Sequence, residues 1–169
     1  MRIADAVADW LVEKNILTVY GIIGGGNHVL FDAISQKGEV KIVCCHHEQA
    51  CVMASNAHNR IEGTLRSVAL VTTGAGSTNA ITGVMAAWMD NAPLIVLSGN
   101  ENSKYINSLD RVWGVQGYGS SEMVRKCTVY SARASQHVPI TAYLMGAYDA
   151  AIRNHGPAWI DIPKDVQSA

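Results

Sequence analysis

The chain has 169 residues, a length that suits one domain of ordinary size and leaves little room for two. Hydrophobic residues make up 49% and charged residues 16%, which excludes a disordered protein because disorder requires low hydrophobicity and high charge. The formal net charge is −1, and no basic run occurs, so a nucleic-acid partner or an anionic membrane surface is disfavoured. The charged fraction lies below the average of about 25%, which predicts that some apolar surface meets a partner.

The amino terminus and the apolar runs do not have the pattern of a secretory signal or a membrane span. Residues 1–10 contain two Asp and no long apolar core, unlike a secretory signal, and the longest apolar runs are far shorter than a transmembrane helix. The four cysteines do not have the spacing of a disulfide framework. We therefore expect a cytoplasmic protein with free thiols.

Short apolar runs alternate along the chain with longer amphipathic segments. In chain order, the pattern predicts a helix at 3–14, a strand at 18–23, a helix at 27–35, a strand at 40–44, a helix at 48–59, a strand at 67–72, a helix at 77–89, a strand at 93–98, one or two helical turns at 120–125, a strand at 127–130, a helix at 138–154 and a strand at 158–162. Strands that are apolar throughout are typical of parallel sheets covered on both faces. The sequence therefore predicts a three-layer α/β fold with a mostly parallel sheet and helices on both faces.

Parallel sheets bind ligands at the carboxyl ends of their strands, so the residues that follow the predicted strands are candidates for a site. The first strand is followed by Gly24, Gly25 and Gly26, more glycines than a tight turn needs; close approach of a ligand and a simple turn both remain open. The third strand is followed by TTGAGSTN at 72–79. This segment lacks the third glycine of a dinucleotide fingerprint and the lysine of a phosphate-binding loop, and capping of the next helix explains it equally well.

The second strand leads into CCHHEQAC at 44–51. Neighbouring strand residues point to opposite faces and no Cys-x₂-Cys spacing occurs, so no zinc site is predicted. Glu48 stands at the ligand-binding end of the strand and at the start of a predicted helix. A carboxylate there can be held ionised by the helix dipole or kept neutral by burial, and either state serves proton transfer to a heterocycle. The alternative is a glutamate that only stabilises the first turn of its helix.

Three segments in combination are far more specific than any one of them: GIIGGGN at 21–27, HHEQA at 46–50 and TTGAGSTNAITGVMAAWMDNAPLIVLSGN at 72–100. Together they resemble the pyrimidine-binding (PYR) domain of thiamine-diphosphate enzymes of the acetolactate synthase and pyruvate oxidase–decarboxylase group. The resemblance runs from about Arg2 to Val166. It implies the thiamine-diphosphate-binding fold, with residues 1–169 forming a single pyrimidine-binding domain.

The resemblance also implies roles for individual residues. Glu48 matches the glutamate that hydrogen-bonds N1′ of the aminopyrimidine and favours the 4′-imino tautomer, whose nitrogen takes the proton from C2 of the thiazolium. Gln116 matches a glutamine that approaches the active site in acetolactate synthases. The pyrimidine pocket that the resemblance implies is formed, together with Glu48, by Ile23, Gly24, Gly25, Gly26, Thr72, Gly74 and Asn79. No residue of this chain is implied as a metal ligand.

The chain matches only the pyrimidine side of such an enzyme. The family's second cofactor-binding domain anchors the diphosphate through Mg²⁺ with a Gly-Asp-Gly motif, and this motif does not occur in the sequence. The implied cofactor is therefore thiamine diphosphate, with Mg²⁺ held by a domain that is not present in this chain. The implied reaction is decarboxylation of a 2-oxo acid such as pyruvate, with transfer or release of the aldehyde unit.

Three interpretations of an isolated pyrimidine-side half remain open. The chain can be a piece of a longer acetolactate synthase-like enzyme, the α subunit of a split sulfopyruvate or phosphonopyruvate decarboxylase, or an inactive self-associating domain. We expect the chain alone to be inactive and to work with a diphosphate-binding domain or subunit. We also expect a homodimer or higher homo-oligomer, because pyrimidine domains of the family pair and the predicted helices at 48–59 and 77–89 are rich in Ala and Met.

Overall fold

The computed structural model describes residues 1–106 and 117–169. Within these residues six strands form one sheet in the order β2-β1-β3-β4-β6-β5, and every neighbouring pair is parallel. The strands are β1 (Thr18–Gly21), β2 (Lys41–Cys44), β3 (Ser67–Val71), β4 (Leu94–Asn100), β5 (Tyr130–Arg133) and β6 (Pro157–Pro163). The helices are α1 (Ile3–Glu13), α2 (His28–Ser35), α3 (Glu48–Glu62), α4 (Ala75–Met89), α5 (Ser120–Met123), α6 (Ile140–Asn154) and α7 (Lys164–Gln167), with 3₁₀ turns at Ser103–Tyr105 and Arg125–Cys127.

The sheet separates two hydrophobic cores, which confirms the predicted three-layer α/β fold. One core contains side chains of α1, α2 and α6, and the other contains side chains of α3 and α4. Strand β3 contributes to both, because Val68 and Leu70 pack in the first core while Ala69 and Val71 pack in the second. Since successive side chains of a strand point to opposite faces, burial on both faces explains why the central strands are continuous apolar runs.

The chain order of the strands creates a reversal between β1 and β3. Strand β2 lies on one side of β1, and the chain then crosses to place β3 on the other side. In open parallel sheets the crevice at such a reversal, beyond the carboxyl ends of the strands, is where ligands bind. The loops that follow β1 and β3 therefore meet at the edge of the sheet where a site is expected.

The predicted fifth strand is misplaced. A strand was expected at 127–130, but Cys127 lies in a 3₁₀ turn and β5 begins at Tyr130. The carbonyl of Val124 accepts bonds from Cys127 N (2.9 Å) and Thr128 Oγ1 (2.9 Å), which satisfies this backbone locally. Pairing with β6 then begins at Tyr130, opposite Ala158. Helix α7 and the turn at Ser103–Tyr105 were not predicted.

The first and last residues of the chain lie side by side. Ile3 N donates to Ala169 O at 2.8 Å, and the Arg2 guanidinium bonds to Asp5 and to Asp32 of α2. Helix α7 packs against both α1 and α2. None of the described helices is both long and apolar enough to cross a membrane.

Helices α3 and α4 pack closely together at Gly83. A Cβ on this glycine would lie 2.7 Å from Val52 Cβ on α3. We predict that Gly83→Ala lowers the free energy of unfolding, because overpacking costs about 1–3 kcal/mol and the better helix propensity of Ala returns only about 1 kcal/mol. Urea denaturation measures the change. Gly38→Ala is the control, since its Cβ would meet no heavy atom within 4 Å; a Gly83→Ala protein as stable as the wild type would contradict the close packing.

Candidate functional site

The segment after β1 forms a glycine loop, residues 22–27, that is closed by Asn27 and anchored to the end of β3. Gly24 N donates to Asn27 Oδ1 at 2.8 Å, and Asn27 Nδ2 donates to Ile22 O at 3.0 Å. Gly26 N donates to Thr72 Oγ1 at 3.1 Å. Asn27 is completely buried. The loop therefore has a fixed conformation at the strand-order reversal.

Two of the three consecutive glycines lie close against other parts of the chain. A Cβ on Gly24 would lie 2.7 Å from Thr72 Cγ2, and a Cβ on Gly26 would lie 3.2 Å from the Gly99 carbonyl group. A Cβ on Gly25 would meet no heavy atom within 4 Å, and the neighbouring Ile23 is 61% exposed. Ile23 and Gly25 thus present the open face of the glycine loop.

Glu48 is the first residue of α3 and follows β2 by a short connection. The imidazole of His47 caps the helix, because its Nδ1 accepts a bond from Gln49 N at 3.2 Å. The Glu48 side chain is half-buried, and its Oε2 accepts a bond from Asn79 Nδ2 of α4 at 3.0 Å. The Glu48 carboxylate at the start of α3 is therefore held in a fixed orientation by α4.

The start of α4 packs against the same carboxylate. A Cβ on Gly76 would lie 3.3 Å from Glu48 Oε1 and 2.6 Å from Thr72 Cγ2, so only a glycine allows this approach. Gly74 caps α4 with φ 67° and ψ −129°, a conformation that glycine adopts readily. Its carbonyl accepts a bond from Tyr118 Oη at 2.8 Å.

Tyr118 lies between this turn and an open cleft. Burial, with a smaller contribution from nearby Asp161, raises the pKa of Tyr118 to about 12, so its hydroxyl remains a donor well above neutral pH. The cleft has a volume of about 320 Å³ and is lined by Gly74, Ala75, Thr78, Tyr118 and Met123. The hydroxyl therefore fixes the Gly74 turn from the side of the cleft.

The nearby thiols are not arranged as a metal site. Cys44, Cys45, Cys51 and Cys127 are free, and among the described residues no group of three or more His, Cys, Asp or Glu side chains is positioned to hold a metal ion. Burial, together with the nearby Cys45, raises the pKa of Cys51 to about 12. A thiol of this kind stays protonated at neutral pH and is unreactive.

The glycine loop and Glu48 lie beside the strand-order reversal. The sequence of the chain also matches a known protein family. Residues 1–130 match the family described as "Thiamine pyrophosphate enzyme, N-terminal TPP binding domain". This is well over half of the chain. The chain belongs to this family.

Individual relatives are acetolactate synthases. The chain is 33% identical over 163 residues to the acetolactate synthase large subunit of Haemophilus influenzae and 34% identical over 167 residues to the isozyme 3 large subunit of Escherichia coli. Each match covers 96% of this chain but 28% of the relative. The mitochondrial acetolactate synthase of Schizosaccharomyces pombe is 30% identical over 165 residues, covering 95% of this chain and 24% of that enzyme. The chain thus spans less than a third of the length of these relatives.

Most of the residues that the sequence singled out lie together in this thiamine pyrophosphate enzyme domain. Glu48 is bonded to Asn79, Gly24 and Gly26 lie against Thr72, and Gly76 lies between Glu48 and Thr72 and connects the two groups. Gly74 begins the same helix as Asn79, and Ile23 and Gly25 form the open side of the glycine loop. Gln116 lies outside the described residues.

Four residues that shape the site were not among the predicted ones. Asn27 and Gly76 carried a visible signal, since an Asn after glycines often closes a turn through its side chain and Gly76 belongs to the noted glycine-rich segment. Tyr118 and Gly99 carried none, because their contacts with Gly74 and Gly26 depend on the order of strands in the sheet.

The residues present fit an aminopyrimidine ring, the part of thiamine pyrophosphate that carries hydrogen-bonding edges and flat apolar faces. A carboxylate can accept about four hydrogen bonds, so Glu48 retains acceptor capacity beyond its bond to Asn79. The exposed Ile23 side chain offers an apolar surface, and Gly25 leaves the backbone accessible.

The bond between Asn79 and Glu48 predicts a pH-dependent variant. Asn79→Asp places two carboxylates where a 3.0 Å hydrogen bond now exists, so the folded protein should bind a shared proton more tightly than the unfolded chain. The destabilisation should be absent below about pH 4 and grow as the pH rises to 7, reaching about 1–3 kcal/mol in urea denaturation. The double variant Glu48→Gln/Asn79→Asp restores one amide–carboxylate pair and should recover most of the loss. An equal loss at every pH would contradict the contact.

Proposed function

We propose that residues 1–169 are one pyrimidine-binding domain of a thiamine-diphosphate enzyme and that Glu48 hydrogen-bonds the aminopyrimidine ring. The observation that carries the proposal is the Glu48 carboxylate at the amino terminus of α3, half-buried and held by Asn79. It stands at the carboxyl edge of the sheet, beside the reversal between β1 and β3, where a parallel sheet binds its ligand.

Each pocket residue has a distinct task in this proposal. Glu48 binds the ring and, as an acceptor that can take up a proton, controls the protonation of the ring edge. Asn79 fixes the carboxylate through a donated bond. Thr72 holds the glycine loop through the bond from Gly26 N, Gly74 forms the turn into α4, and the open face formed by Ile23 and Gly25 contacts the ring. Gln116 stays a predicted contributor at the substrate side.

The reaction that we propose is decarboxylation of a 2-oxo acid such as pyruvate, with transfer or release of the aldehyde unit. It is supported by the relatives, which are named acetolactate synthases. When bound, thiamine diphosphate supplies the electron sink that this bond cleavage requires. The chain contributes the site that orients the pyrimidine end of the cofactor.

The diphosphate end requires a second domain or subunit in this proposal. The sequence contains no Gly-Asp-Gly motif, and the chain spans 28% of the acetolactate synthase large subunits it matches. Mg²⁺ binds through carboxylates and phosphate oxygens, so we place the Mg²⁺ and diphosphate site in that second part. The chain alone, given thiamine diphosphate, Mg²⁺ and pyruvate, is expected to release no measurable carbon dioxide.

Glu48→Gln tests the catalytic proposal once a partner carrying the Gly-Asp-Gly domain restores turnover. The variant keeps the size of the side chain but loses the proton acceptor, so the decarboxylation rate should fall by about 10²–10⁴-fold. Carbon dioxide release is the measurement. Glu62→Gln, at the exposed far end of the same helix, is the control and should keep full activity. A loss of only a few-fold with Glu48→Gln would remove this residue from the mechanism.

We also propose that two copies associate through an apolar face on α3 and α4. The face consists of exposed side chains on these two adjacent helices, Met53 (40% exposed), Met85 (43%), Trp88 (39%) and Met89 (74%). Met85, Trp88 and Met89 share one face of α4 by their spacing, and exposed apolar side chains grouped in this way favour an interface. It also accounts for the low charged fraction of the composition.

The double variant Met85→Glu/Met89→Glu should convert the proposed homo-oligomer to a monomer, because it places two charges in the apolar face. Light scattering coupled to size-exclusion chromatography measures the mass. Val138→Glu is the matched control, since Val138 is 39% exposed and lies outside α3 and α4. A wild-type chain that is already monomeric, or a double variant that keeps the wild-type mass, would refute this interface.

A further inference from the structure

Gln167 is a completely buried polar residue near the end of the chain, in the short helix α7. Its side-chain amide donates two hydrogen bonds. Nε2 lies 2.7 Å from Gly26 O in the glycine loop and 2.6 Å from Ile162 O in β6. Both amide protons are therefore used, and the bond to Gly26 connects residues that are 141 positions apart in the sequence.

The orientation of this amide is unambiguous. Rotating it by half a turn would place Oε1 against two carbonyl oxygens, so the nitrogen must face Gly26 and Ile162. Oε1 is buried and has no hydrogen-bond partner among the described residues. A buried carbonyl without a donor costs free energy, and an apolar side chain of similar length would avoid that cost. What the glutamine supplies in return is the pair of donated bonds.

The Gly26 peptide is held from three directions. Its N–H is bonded to Thr72 Oγ1, its backbone touches that of Gly99 in β4, and its carbonyl receives the Gln167 bond. Gly99 lies in β4 and Thr72 directly follows β3. Of these three partners, only Gln167 lies in a helix outside the sheet.

We propose that Gln167 is a positioning residue for the glycine loop: by fixing the Gly26 carbonyl, it sets the orientation of the open face, Ile23 and Gly25, that meets the pyrimidine ring. The proposal rests on the function proposed above. Because the second Nε2 bond goes to Ile162 O, the loop after β1 and the end of β6 are held as one unit. The segment that follows β6 is thereby coupled to the cofactor site, although it contributes no side chain to the ring.

The test uses the chain with Gln167→Met, which keeps the length and apolar volume of the side chain but removes both donors. Hydrogen–deuterium exchange measures the protection of the amides of Gly24, Gly26 and Asn27. We expect their exchange to become at least tenfold faster relative to the amides of β3 and β4. The matched control is Ser67→Ala, which removes buried hydrogen bonds to Ser55 and Asn59 at the opposite end of β3. It should lower stability without this selective effect.

Binding of thiamine diphosphate is the second readout, followed by NMR chemical shifts at millimolar cofactor concentrations. We expect Gln167→Met to weaken binding at least fivefold and Ser67→Ala to leave it unchanged. Unchanged protection of the loop, equal loss of protection across the whole chain, or fast loop exchange with unchanged affinity would each overturn the proposal. If thiamine diphosphate shifts resonances of the wild type but none near Glu48, the proposed function fails, whereas the exchange rates still report whether Gln167 orders the loop.

A wild-type measurement covers the case in which Gln167→Met does not fold. The two side-chain amide protons of Gln167 should exchange slowly with solvent, because both are bonded to buried carbonyls. Exchange at the rate of an exposed side-chain amide, such as that of Gln36, would overturn the proposal without any variant.

Discussion

The packing around Thr72 is the constraint on which the candidate site depends. Its methyl group touches the positions where side chains on Gly24 and Gly76 would begin, and its hydroxyl accepts the Gly26 amide bond. The loop after β1 and the first turn of α4 can approach this residue only because each presents a glycine. The strand-order reversal brings the two loops to the same edge, and the glycines allow them to close on each other.

This packing positions a carboxylate without burying it completely. Glu48 lies against Gly76 and accepts the Asn79 bond, so both contacts come from α4 while the backbone that carries Glu48 belongs to α3. The close approach of these helices at Gly83 keeps the donor and the acceptor in register. A half-buried carboxylate of fixed orientation is suited to accepting a hydrogen bond from the edge of a heterocyclic ring. The function proposed here follows from that arrangement together with membership of the thiamine pyrophosphate enzymes.

Much of the fold could be predicted from the sequence because its determinants are local. Runs such as SVALV at 67–71 are apolar at every position because both faces of β3 are buried, and that pattern alone indicates a parallel sheet. The fifth strand was misplaced because Cys127 and Thr128 are as compatible with a strand as Tyr130 is. Their bonds to Val124 O favour the 3₁₀ turn over a strand. The pattern of apolar residues does not reveal these bonds.

The site could be predicted only in part, for a related reason. Glu48 and the glycines follow predicted strands, so their meeting at one edge was foreseeable. The bonds from Tyr118 to Gly74 and from Gln167 to Gly26 depend on which strands are neighbours, and no spacing in the chain reveals them. The sequence also could not show that Gly24 and Gly26 serve internal packing while Gly25 remains open.

The most direct test of the central claim is the response of the Glu48 carboxyl carbon to thiamine diphosphate, measured by ¹³C NMR on the labelled chain. We predict a saturable shift at Glu48, a parallel shift of the Asn79 side-chain amide and no shift at the exposed Glu62. Binding that leaves Glu48 unchanged, or shifts of equal size at Glu48 and Glu62, would contradict it.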